Sequence, residues 1–117
     1  MKTFDFTVKK GDTYEGVFFQ LLINEVPVNL TGVNIVAEFK KTPLAVAAYT
    51  MNLDNDKIVV TNAAEGRFKF DKQKIELPAG KYLYDVQFVF LDESVKTYIS
   101  GTMTVEQDIT NIIEEES

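Results

Sequence analysis

From residue 80 onward the chain alternates. Tyr82, Tyr84, Val86, Phe88 and Phe90 fall at every second position, with Leu83, Asp85, Gln87 and Val89 between them. After Asp92-Glu93-Ser94 the alternation resumes with Val95, Thr97, Ile99, Gly101, Met103 and Val105. A period of two is the period of a strand, so each set shares one face of a sheet. Two such runs joined by a short polar break predict a long antiparallel hairpin. One face of it is apolar, and a lone hairpin cannot hold such a face in water. The rest of the chain is expected to cover it.

Upstream, the same period recurs in shorter runs. Phe4, Phe6 and Val8 mark a half-buried first strand that Lys10-Gly11-Asp12-Thr13 breaks. Residues 14–23 form a second, with Val17, Phe19, Leu21 and Ile23 on one face. Phe18 and Leu22 are apolar on the other, which predicts cover on both sides. Residues 26–32 read as a connector, because Pro27 lacks a donor and Asn29, Thr31 and Gly32 favour turns. Residues 33–40 point Val33, Ile35, Ala37 and Phe39 inward. Over residues 44–53, Val46, Tyr49 and Thr50 favour a strand against the helical bias of Ala45, Ala47 and Ala48. Short strands follow at 57–61 and at 67–71, the latter with Phe68 and Phe70 on one face.

Seven or eight short strands at close spacing predict an all-β sandwich or barrel. Gly80-Lys81-Tyr82-Leu83-Tyr84 opens the penultimate strand. A tyrosine there can bond back to upstream backbone as a tyrosine corner, two residues before the usual core cysteine, a place Tyr84 would take. That detail favours an immunoglobulin-like antiparallel β-sandwich of seven to eight strands. The 117 residues suffice for one domain. It is expected over residues 1–107. The acidic run over 108–117, ending Glu114-Glu115-Glu116-Ser117, is expected to be a disordered tail.

Composition narrows the chemistry. Lys plus Arg is 12 and Asp plus Glu is 18, a formal charge of -6, which points away from nucleic acid and anionic membranes. Cysteine, histidine and tryptophan are absent. Without His or Cys the usual nucleophile–base pairs cannot be built, and no enzymatic activity, catalytic residue or cofactor is expected. Asp92 and Glu93 are adjacent in a turn, which does not set two carboxylates across a glycosidic bond. Asp54-Asn55-Asp56 resembles the start of a calcium loop but lacks its helices and its later bidentate glutamate, so a polar turn and no metal are expected. No apolar run near the N-terminus matches a secretory signal, and none approaches the ~18 residues of a membrane span. The sequence therefore predicts a cytoplasmic chain.

Three segments carry a resemblance. They are Gly11-Asp12-Thr13 before the second strand, Pro27-Val28-Asn29-Leu30-Thr31-Gly32, and Gly80-Lys81-Tyr82-Leu83-Tyr84-Asp85-Val86 followed by Gly101-Thr102-Met103-Thr104-Val105. In this order the chain resembles the immunoglobulin-like N-terminal domain of phage baseplate upper proteins. It departs from them at the hairpin tip, where Asp92-Glu93-Ser94 stands for the family's Asp-Gly, and in stopping at Ser117, where relatives often continue into a stalk. The resemblance implies a virion structural module in a baseplate or tail, assembled in the host cytoplasm. Its partners would be other virion proteins or further copies of itself, with no small-molecule substrate.

A contact surface can be sought on the third, penultimate and last strands, which lie side by side in such a sandwich. The alternation turns Val36, Leu83, Val89 and Tyr98 outward, and they are the expected partner-binding residues if they gather into one patch. The competing reading is a carbohydrate- or cell-surface-binding β-sandwich. It would call for exposed Trp or clustered Tyr and a secretion signal, and Trp is absent.

Overall fold

The computed structural model describes residues 2–107, and the tail expected at 108–117 lies outside the described residues. The strands in chain order are β1 Lys2–Thr3, β2 Phe6–Lys9, β3 Thr13–Tyr14, β4 Val17–Gln20, β5 Leu22–Ile23, β6 Val26–Pro27 and β7 Asn34–Lys40. They continue with β8 Tyr49–Asn52, β9 Ile58–Asn62, β10 Arg67–Phe70, β11 Gln73–Lys74, β12 Gly80–Val89 and β13 Val95–Glu106, and a single 3-10 turn, Ala63–Glu65, separates β9 from β10. Where one run of chain carries on through a break, as in β1–β2, β3–β5 and β10–β11, the short strands merge. Eight runs result besides β6, which is the return arm of a small hairpin.

The expected long hairpin is β12 and β13, paired antiparallel from Gly80 opposite Val105 to Val89 opposite Val95. β7 lies on the other side of β12, and β8 on the far side of β7, both antiparallel. The second sheet runs β4-β10-β9. The β3–β11 ladder continues it in the same register: Val17 stands opposite Phe70 and Tyr14 opposite Gln73, with the break at Gly16. Between the sheets lie Ile35, Ala37, Phe39, Tyr82, Val86 and Phe88 from one side and Ile58, Phe68 and Phe70 from the other, all buried. Tyr82 donates its hydroxyl to the Pro78 carbonyl at 2.7 Å, so the tyrosine corner is formed. Two face-to-face sheets of this strand order, closed by such a corner, make an immunoglobulin-like β-sandwich.

The edge of the larger sheet departs from the expected all-antiparallel pattern. β1 and β2 both run parallel to β13, with Lys2 opposite Ile99 and Phe6 opposite Met103. Between them the chain kinks at Phe4-Asp5. The Asp5 carboxylate accepts the Thr102 N–H at 2.9 Å, and the Phe4 carbonyl accepts the Tyr84 hydroxyl at 2.5 Å. This close crossing needs a glycine at 101, since a Cβ there would lie 1.9 Å from the Phe4 oxygen. The first strand is thus broken in two where the Phe4 carbonyl turns to the Tyr84 hydroxyl and the Asp5 side chain takes its place opposite the Thr102 N–H.

Other expectations are corrected. Residues 14–23 are not one strand covered on both sides. Phe18 is 75% and Leu22 47% exposed, because β4 belongs to a three-stranded sheet whose outer face is bare. Residues 26–32 are not all connector, for β6 pairs with β5 around a turn in which Asn24 and Glu25 have φ of 53° and 67°. The Val28 N–H donates to Leu21, which makes Leu22–Pro27 a non-hydrogen-bonded pair, so the missing proline donor costs nothing there. Of residues 44–53 only Tyr49–Asn52 is a strand; Pro43 and a turn from Thr42 to Ala45 keep the preceding alanines in a loop.

Candidate interaction surface

The outer face of the larger sheet can be read row by row from its register. Lys40, Leu83 and Thr102 form one row, and Glu38, Asp85 and Ser100 the next. Val36, Gln87 and Thr97 form the third, and Asn34, Val89 and Val95 the fourth. Leu83, 42% exposed, therefore stands about 20 Å from Val89 along β12, six residues at roughly 3.3 Å each. The carboxylates Glu38 and Asp85 lie directly opposite each other between them, and like charges so placed disfavour each other. Lys40 approaches Glu38 only at 3.9 Å. Val89 and Val95 are cross-strand neighbours, and Val36 is diagonal to Val89.

Tyr98 does not belong to this face. Val86 pairs with Ile99 while the next residue, Gln87, pairs with Thr97, so Tyr98 is the extra residue of a β-bulge. Its ring lies 5.6 Å from that of Phe88 and packs against the core. A bulge shifts the alternation by one, which is why strict period two sends this side chain the wrong way. The four expected residues thus divide into a valine cluster of Val36 and Val89, a separate Leu83, and an inward Tyr98.

Two exposed apolar sites lie elsewhere. The loop from Lys41 to Ala48 holds Leu44, 99% exposed, and Val46, 89% exposed. Its Pro43 lines a shallow depression of about 230 Å³ together with Glu38, Lys40, Leu83, Tyr84 and Asp85. The sequence signal for this loop was a proline followed by small and branched residues with no alternation. The second site is β4, where Phe18 and Leu22 line a groove of about 470 Å³ with Lys2, Gln20, Tyr98 and Ile99.

Polar chemistry is spent on structure. The Asn55 carboxamide accepts the N–H groups of Asn52 and Lys57, each at 3.0 Å, and donates to the Thr50 carbonyl at 3.0 Å, so Asp54-Asn55-Asp56 is a self-bonded turn. Among the described residues no cluster of three or more His, Cys, Asp or Glu could hold a metal, and no helix is long and apolar enough to cross a membrane. The shifted groups are all explained locally. A hydrogen bond from Lys69 first, then one from the Lys72 backbone, lowers the Asp71 carboxyl. The Ser94 hydroxyl and backbone N–H lower that of Asp92. Burial pushes the Tyr14 phenol up to about 12. It raises that of Tyr84 further, with Tyr14 and Asp5 adding to the effect.

No family model matches the chain, and neither does any curated protein. Among solved structures it is similar to Drosophila OTK, extracellular domains 3-5, at 18% identity over 92% of this chain, with a TM-score of 0.35. The chain spans 33% of the length of that structure. So slight a likeness carries no argument, and the fold rests on the strand order and the corner described above.

Proposed function

We propose that this chain is a structural module of a phage or prophage virion, held in a baseplate or tail by protein–protein contacts. The observation that supports the reading is the order and spacing of its resembling segments. Gly11-Asp12-Thr13, Pro27 to Gly32, and Gly80 to Val86 with Gly101 to Val105 run through nearly the whole chain. The reading assigns the contacts to apolar side chains left open to solvent. Leu83 lies beside the Pro43 depression, and Leu44 and Val46 stand almost free of the domain. Side chains so exposed add little to folding, and grouped exposed apolar surface marks partner sites.

The test is to label phage particles induced from the source strain with antibodies against the purified domain and view them by electron microscopy. Labelling at one position along the tail is expected. A Leu44→Asp, Val46→Asp variant should fold as the wild type does yet fail to enter particles. Protein that stays wholly in the soluble fraction would overturn the proposal. Binding to purified cell-wall polysaccharide without particle labelling would favour the surface-binding module instead.

A further inference from the structure

β4 is one margin of the three-stranded sheet, and its only strand partner among the described residues is β10. The Leu21 N–H donates to the Gly66 carbonyl on the β10 side at 2.8 Å. Hydrogen-bonded positions alternate along an antiparallel pair, so Val17 and Phe19 also turn their backbone groups to β10. Phe18, Gln20 and Leu22 turn theirs the other way, where no described strand lies. The run from Val17 to Asn24 holds no charged residue and no proline. Edge strands that stay single are shielded by charges, prolines or bulges, and this run has none of them in itself, with Lys2 of β1 the one cation lining the groove beside it.

We infer that the β4 margin is a self-association site, at which a second copy of this chain adds its own β4 antiparallel and joins two three-stranded sheets into one of six. The occupant follows from register. Only even-numbered positions have free backbone groups, so they must meet even-numbered positions. A two-fold axis through Gln20 does this and sets Phe18 against Leu22 of the second copy on the outer face, twice. Both are exposed apolar side chains, and such cross-strand pairs are the unit of sheet stabilisation. The seven residues from Val17 to Ile23 span about 20 Å. A joint of that length falls at the small end of specific interfaces, below roughly 1,200 Å² in total, which makes the dimer reversible and concentration-dependent. The same register brings Glu15 toward Glu25 of the second copy, and each chain carries a formal -6, so salt favours the joint. This inference stands apart from the virion reading and concerns a different face.

Sedimentation velocity on the full chain, from about 1 to 500 µM, tests it. A monomer–dimer equilibrium that strengthens with added salt is expected. Phe18→Lys should weaken it at least tenfold while leaving the near-ultraviolet spectrum and melting temperature intact, since that side chain is outside the core. Glu25→Lys should strengthen it. Amide exchange at Phe18, Gln20 and Leu22 should slow as dimer forms. A chain that stays monomeric throughout would overturn the inference. So would a dimer that Phe18→Lys leaves unchanged and Leu83→Lys abolishes, because it would use the larger sheet.

Discussion

Tyr82 and Tyr84 stand two positions apart on β12, and their hydroxyls tie down two distant pieces of chain, the turn at Pro78 and the kink at Phe4. Each hydroxyl meets a backbone carbonyl that would otherwise lose a partner. Replacing Tyr82 by Phe keeps the ring and removes the bond, so the Pro78 carbonyl is left part-buried and unpaired. The expected cost is about 1–3 kcal/mol, read from denaturant midpoints, and a change below about 0.3 kcal/mol would show the corner to be idle. The same burial has a consequence in alkali. Tyr14 titrates at about 12 in the fold and Tyr84 is raised further, against about 10 for an unfolded tyrosine. A raised folded value means that the unfolded chain releases these protons first. The stability they carry is whole below pH 10 and drains away as pH climbs from 10 through 12. The melting temperature should be level from pH 7 to 9 and fall beyond pH 10, less steeply in Tyr14→Phe. A curve level to pH 12 would contradict the shifts.

At the scale of elements, what could be read in the sequence depended on whether neighbouring positions differ in polarity. β7 and β12 were legible because Glu38, Asp85 and Gln87 interrupt buried Ala37, Tyr84, Val86 and Phe88 at every step. In β4 and the residue after it the inward set of Val17, Phe19 and Leu21 was legible, but the bareness of the other face was not, because Phe18 and Leu22 are as apolar as their neighbours. The bulge at Tyr98 leaves no mark in composition: Thr97, Tyr98 and Ile99 suit a strand in either phase. The contact patch failed for a different reason. Outward phase was right for Val36, Leu83 and Val89, but grouping them needs the stagger between strands, which no single strand encodes. That stagger puts the Glu38–Asp85 row in the way. The hairpin closed by Asn24-Glu25 was hidden by a proline that sits where no donor is needed.

For the molecule as a whole, the arrangement of the first and last strands matters most. β1, β2 and β13 form one parallel ladder in constant register, extended by the Phe4 N–H to Ser100 and the Lys10 N–H to Glu106, each at 2.9 Å. Parallel strands place the start of one beside the start of the other. Tension drawn between Lys2 and Gln107 therefore slides the two strands past each other and loads every bond of the ladder at once. Tension between Lys2 and Lys96 peels the same ladder open one bond at a time. Since the chain has no cysteine, handles can be attached at either pair through introduced cysteines. Optical-tweezer or atomic-force pulling should find the first geometry markedly the stronger, and equal rupture forces would show that the ladder bears no load. A domain built this way can serve as a link in a structure that is pulled along its length.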